Sequence, residues 1–264
     1  MTGIARRAGR AAAIALVAGT LGGAALLAGE AVVARNRRYA QPELGLGLRA
    51  TVGPAAAPPL RLVLLGDSAT LGVGVDQLGD TLGGQLAALL AEGPQGSTPR
   101  QVRLSSVGVV GSRSMDLSTQ VARALLGERP DVAVILVGAH DATDLRRPGE
   151  AAAYLGAAVR RLRDAGVEVV VGTCPDLGAV RAIAPPLRQV VGWLGRRTAR
   201  AQIRAVRAAG GTPVDLAAVT GPVFRADPGT FCADGYHPSA DGYRVWAHAL
   251  LPAVAEAAAA VRRP

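Results

Sequence analysis

Three residue types, set far apart in the chain, could together supply the parts of a nucleophilic hydrolysis. An aliphatic hydroxyl attacks poorly at neutral pH unless an imidazole takes its proton and a carboxylate orients that imidazole. Ser68, in Gly66-Asp67-Ser68, is the candidate hydroxyl. The chain has three histidines, His140, His237 and His248. His237 follows Asp234 by three residues in Asp234-Gly235-Tyr236-His237-Pro238, a spacing that lets one turn present both groups on the same side. His248, inside Val245-Trp246-Ala247-His248, reads as a packing or surface residue. Singly, neither Gly-Asp-Ser nor Asp-x-x-His is specific, since the second is commoner as a turn and helix cap than in a site.

The elements that must position these residues raise their joint value. Short β-branched runs at Leu60–Leu65, Val102–Val107, Asp131–Val137, Val167–Thr173 and Thr212–Leu216 predict strands. Amphipathic stretches at Thr81–Ala91, Ser114–Leu126, Glu150–Ala165, Leu187–Ala209 and Ser239–Arg262 predict helices between and after them. Nearly continuous apolar strands alternating with helices imply a parallel sheet covered on both faces. Open sheets of this kind bind ligands beyond the carboxyl ends of their strands. Gly66-Asp67-Ser68 follows the first strand, Gly108 the second, Gly138-Ala139-His140-Asp141 the third and Thr173-Cys174-Pro175-Asp176 the fourth. The loop past the fifth carries Asp234 and His237.

On these residues the stretch 60–255 resembles the GDSL or SGNH hydrolases, serine esterases and lipases whose four sequence blocks occur here in order. The resemblance implies a three-layer α/β/α sandwich with a five-stranded parallel, flavodoxin-like sheet. It implies Ser68 as nucleophile, His237 as base and Asp234 as its orienting acid, cleaving carboxylic esters through an acyl-enzyme. The N–H groups of Ser68 and Gly108 would form an oxyanion hole, which the family completes with an asparagine side chain. Here that position is His140, and the sole asparagine of the chain is Asn36. A histidine ring can donate in its place, or His140 is a turn residue satisfied by Asp141 or Asp144. The same machinery could transfer acyl groups or deacetylate cell-envelope carbohydrate. A binding module that has lost turnover, with His140 as the lesion, is the reading from another class.

Composition bounds the rest. The 264 residues are 50% hydrophobic and 3% aromatic, with a formal charge of +9 carried by arginines alone. A basic excess first suggests nucleic acid or a membrane surface, but six of the arginines lie within residues 1–40 against one acid, Glu30. Residues 41–264 are left nearly balanced, and too few aromatics remain for a stacking platform, so nucleic acid is not an expected partner. Ala11–Gly29 is free of charge; as a helix it would be about 28 Å long, near the roughly 30 Å core of a bilayer. Residues 1–40 therefore read as a hydrophobic helix serving as membrane anchor, as an export signal cleaved near Ala34, or as a buried helix. The expected location is the outer membrane face or the exterior, with a small or lipid-like ester as substrate. Residues 41–59, rich in Pro, Gly and Ala, read as a linker and 60–264 as the hydrolase domain.

No cofactor or metal is expected. Three scattered histidines and two distant cysteines do not cluster as ligands. The glycines at 72, 74 and 79 are out of register for a dinucleotide loop, and a chain without lysine has no phosphate loop. Asp67 reads as a carboxylate that ties loops together. Cys174 and Cys232, both expected at the catalytic end of the sheet, read either as a disulfide, if the domain is exported, or as two buried free thiols.

Overall fold

A computed structural model describes residues 22–45, 47–93 and 98–261. Its strands are β1 (Arg49–Val52), β2 (Pro59–Gly66), β3 (Gln101–Ser106), β4 (Val132–Leu136), β5 (Glu168–Gly172) and β6 (Thr212–Val214). The helices used below are α1 (Leu82–Glu92), α2 (Leu117–Ala124), α3 (Ala139–Thr143), α4 (Pro148–Asp164), α5 (Leu187–Ala208), α6 (Leu216–Ala226) and α7 (Ala240–Ala260). Their sheet runs β1-β3-β2-β4-β5-β6 and is parallel from β3 to β6.

Alternation within the strands builds two cores. Leu62 and Leu64 of β2, with Val132 and Val134 of β4, point to one face, where Leu82, Leu86 and Leu90 of α1 and Tyr243, Trp246 and Leu250 of α7 cover them. Val63, Leu65, Ala133 and Ile135 point to the other, under Leu117 and Val121 of α2 and Leu155, Val159 and Leu162 of α4. The result is the expected α/β/α sandwich. Numbered among themselves, the parallel strands stand in the flavodoxin-like order 2-1-3-4-5, whose switch point lies between β2 and β4. Ser68 follows β2 and His140 follows β4, so the fold delivers both to that crevice.

Two elements differ from expectation. The sheet has six strands rather than five, because Arg49–Val52, inside the stretch read as a linker, pairs antiparallel with β3 from Arg49↔Ser105 to Val52↔Val102. Its four residues are half-exposed at a sheet edge, which leaves no buried apolar run to read. Residues 22–36 are helical, while residues 1–21, including the first half of the expected apolar span, lie outside the described residues. Among the described residues no helix is long and apolar enough to cross a membrane.

Candidate active site

A glycine sets the end of β2. Gly66 has φ +137°, and a Cβ there would lie 1.7 Å from the Leu136 carbonyl oxygen of β4; only glycine lets the two strands pair to their ends. The same oxygen accepts from the Asp67 N–H at 3.1 Å. Gln120 of α2, fully buried, fastens this corner: its Oε1 accepts from the Gly66 N–H at 2.7 Å, and its Nε2 donates to the Gly66 carbonyl and to Ser112 Oγ, each at 2.9 Å. Ser68 then opens a single 3₁₀ turn whose cap is Asp67, Oδ1 accepting from the Ala69 N–H at 3.2 Å. That is one backbone bond from Asp67, fewer than a loop-tying role suggests. Burial pushes the Asp67 carboxyl above its ordinary range, against the opposing pull of His140.

The Asp234–His237 turn is held shut by its own backbone. Cys232 N–H donates to the His237 carbonyl at 2.9 Å, Phe231 bridges Pro238, and Gly235 takes φ +68°. Asp234 Oδ1 accepts from the N–H groups of Tyr236 at 2.7 Å and His237 at 2.9 Å. Its Oδ2 lies 2.6 Å from His237 Nδ1 and accepts from the Ala40 N–H at 3.0 Å. Burial alone would raise this carboxyl, but the bonds from His237, Ala40 and Tyr236 hold it well below the usual carboxylate range. An ionised Asp234 places the ring proton on Nδ1, which leaves Nε2 as an acceptor. Nε2 stands 3.1 Å from Ser68 Oγ. The structure thus brings Ser68, His237 and Asp234 into one hydrogen-bonded chain across 169 residues of sequence.

His140 lines the same crevice, on α3. Gly138 before it has φ +124°, and a Cβ there would strike Gln202 Nε2 at 2.6 Å. Gln202 of α5, also fully buried, donates to the Val137 carbonyl and accepts from the Cys174 N–H, both at 2.8 Å, and so ties the ends of β4 and β5. The two aspartates that could have satisfied His140 are engaged elsewhere. Asp141 accepts from Ser114 N–H at 2.9 Å and Ser114 Oγ at 2.8 Å, and Asp144 faces Arg113 at 3.6 Å. His140 Nδ1 lies 3.9 Å from Asp67 Oδ2 and is buried without a hydrogen-bond partner.

Gly108 is accounted for by close packing. A Cβ there would lie 1.9 Å from Thr70 Oγ1, and its N–H makes a long 3.3 Å bond to Ser106 Oγ. The disulfide is absent. Both thiols are free: Cys174 is buried beside Pro175 under α5, whereas Cys232 Sγ turns to Asp234 Oδ1 at 3.1 Å. Burial pushes the Cys232 thiol up to about 11. His248 is exposed on α7, as expected of a surface residue.

Two spaces meet at Ser68. One is a cavity of about 60 Å³ lined by Leu177, Leu216 and Phe224 among others. The other is an open groove of about 470 Å³ beneath the N-terminal helix.

Sequence reasoning missed Gln120, Gln202 and Ala40. The glutamines carried a weak signal as polar residues on otherwise apolar helix faces. Ala40 contributes only a backbone N–H and carried none.

Comparison with known proteins gives the family and the fold. Residues 64–245 match the GDSL-like lipase/acylhydrolase family. A GDSL-like esterase of Mycobacterium tuberculosis is 44% identical over 200 residues, which is 75% of this chain and 62% of that protein. The matched part therefore spans about three fifths of that relative's length. An acetylxylan esterase from Geobacillus stearothermophilus superposes with a TM-score of 0.56 at 17% identity, over 78% of this chain and 96% of the other. A lipase/acylhydrolase from Enterococcus faecalis does so with 0.54 at 21% identity, over 78% and 100%. At such identities the structural likeness speaks for the fold.

Proposed function

Because the chain belongs to the GDSL-like lipase/acylhydrolase family, we propose that it hydrolyses carboxylic esters with Ser68 as nucleophile, His237 as general base and Asp234 as the acid that orients it. The observation that carries this reading is the unbroken chain from Asp234 Oδ2 through His237 to Ser68 Oγ, at 2.6 and 3.1 Å. His237 Nε2 takes the Ser68 proton as Oγ attacks the carbonyl carbon, and the imidazolium then returns that proton to the leaving alcohol. Water attacks the acyl-enzyme by the same route, which frees the carboxylic acid and restores Ser68.

The developing oxyanion is met by the Ser68 N–H, which has no hydrogen-bond partner among the described residues, and by the His140 ring beside it. Gly108 joins them by giving up its long bond to Ser106. The apolar cavity past Leu177, Leu216 and Phe224 is the smaller of the two spaces at Ser68, which suits it to a short acyl part.

The apolar run from Ala11, preceded by Arg6, Arg7 and Arg10, supports placement at or beyond the membrane, as an anchor or a cleaved signal. N-terminal sequencing and carbonate extraction of the natural protein separate the two.

The test of function is hydrolysis of p-nitrophenyl acetate, butyrate and octanoate by the full chain, with Ser68→Ala as control. Activity falling with acyl length and abolished in Ser68→Ala is expected. Equal rates for Ser68→Ala and the parent overturn the reading.

A further inference from the structure

The hydrolase reading leaves residues 30–41 without a task, yet they lie across the site. Glu30 Oε2 accepts from the Leu187 N–H at the start of α5 at 2.8 Å, and the Arg37 guanidinium donates to the Ala182 carbonyl at 3.3 Å. Tyr39 packs 5.1 Å from the Tyr236 ring and stands edge-on to His237 at 6.3 Å. Its hydroxyl donates back to the Ala34 carbonyl at 2.8 Å, bracing the turn that delivers the Ala40 N–H to Asp234. A passive tether would not need to bond the orienting acid and wall the base.

The segment also makes a space. The groove of about 470 Å³ is lined by Ala31, Ala34 and Tyr39 of the segment, by Leu145, Leu187 and Val190 of the domain, and by Ser68 and His140. Leu145 is the one non-glycine residue at positive φ among the described residues, at +56°, and its side chain is 71% exposed. A leucine in that backbone region is strained, and such strain collects at ligand sites. Its exposed side chain adds an apolar face to the groove. An ester whose carbonyl sits at Ser68 must send its acyl and alcohol parts in different directions, and the inward cavity is the smaller of the two spaces. The groove is left for the alcohol.

We propose that residues 31–40 are part of the hydrolytic site: with Leu145 they form a subsite for the long apolar alcohol of a short-acyl ester, and the Ala40 N–H positions Asp234. This rests on the hydrolase reading. Tyr39 and Leu145 set specificity, and Ala40 is a positioning residue that acts through Asp234 and His237.

The experiment measures acetate release by the full chain from ethyl and octyl acetate, with active sites counted by a fluorophosphonate label. Parent kcat/KM is expected to favour octyl acetate. Leu145→Ser and Tyr39→Ser each lower the octyl-to-ethyl ratio about tenfold, mainly through the KM for octyl acetate, as the loss of a few buried methylenes predicts. The ratio is independent of how much protein folds. Ala40→Pro, which deletes the N–H, lowers kcat for both esters about tenfold, the worth of a charge-assisted hydrogen bond, and leaves the ratio alone. An unchanged ratio in both serine variants overturns the subsite, and an unchanged kcat per labelled site in Ala40→Pro overturns the positioning role. A Leu145→Ser variant that alters sedimentation without altering the ratio would make the groove a contact between copies, which also overturns the proposal. If the parent releases no acetate from either ester, or Ser68→Ala matches it, the hydrolase reading has failed instead.

Discussion

Replacing Asp234 by asparagine keeps the side chain's shape, removes its charge and turns one of its two acceptor atoms into a donor, which also gives up the bond from the Ala40 N–H. The amide has two orientations. Placing its nitrogen at the Oδ1 position would set it against the N–H groups of Tyr236 and His237, at 2.7 and 2.9 Å. The oxygen therefore stays there, and the nitrogen takes the Oδ2 position, 3.0 Å from the Ala40 N and 2.6 Å from His237 Nδ1. An amide N–H at that point donates to Nδ1, so the ring proton moves to Nε2. Nε2–H then points at Ser68 Oγ across 3.1 Å, and nothing remains to accept the serine proton. A wrong tautomer with preserved geometry costs about 10⁴-fold in kcat, roughly 5.5 kcal/mol of barrier. The assay is initial-rate hydrolysis of p-nitrophenyl acetate per labelled active site, with KM expected to change by less than about threefold because no substrate contact is lost. An Asp234→Asn enzyme within tenfold of the parent kcat, alongside an inactive Ser68→Ala, would refute the assignment of His237 as a base oriented by Asp234.

Three further outcomes are expected. His140→Ala lowers kcat by about 10²-fold, the usual cost of one oxyanion donor, whereas His140→Asn retains more activity; alanine matching the parent across the ester series would end the donor role. Asp67→Asn alters the pH dependence of stability. Burial raises the Asp67 carboxyl in the native state, so the folded chain keeps that proton to higher pH than the unfolded chain, whose carboxyl sits at about 3.9. The native state then binds more protons in this window, and stability falls as pH rises through it. The Tm of Asp67→Asn minus that of the parent therefore grows from pH 3.5 to pH 7, and a constant difference would show the reasoning wrong. Gln120→Leu leaves the buried Gly66 N–H unpaired, while the Gly66 carbonyl still accepts from Val109 at 3.1 Å. Buried Ser112 Oγ loses its partner as well, and the two stranded groups together cost at least about 2 kcal/mol, or at least roughly 4 °C of Tm by thermal melt. A shift under 1 °C would mean the corner has another support.

The parallel strands were legible because each is buried on both faces and so reads as a continuous apolar run. β1 was not, since an antiparallel edge strand of four half-exposed residues carries no such run. The helix α6 was read through as loop, because Gly221 and Pro222 interrupt it; its first residues still bury Leu216 and Thr220. Ser68, Asp234 and His237 could be found because side-chain chemistry and strand-end position coincide in them. His140 was found as a departure, although its neighbour in space, Asp67, was not foreseen from 73 positions away. Gly108 was singled out through the family resemblance, and the close approach of Thr70 is a second reason for glycine there, one that no sequence pattern shows.

The N-terminal segment joins location to chemistry. A retained helix and a cleaved signal are not equivalent for the site, since cutting after Ala34 would keep Tyr39 and the Ala40 N–H while discarding Glu30, its bond to Leu187 and the Ala31 wall of the groove. Tyr39 would also lose the continuous chain that braces its hydroxyl against the Ala34 carbonyl. A cleaved form should therefore keep its turnover of small acetates and lose its preference for a long alcohol.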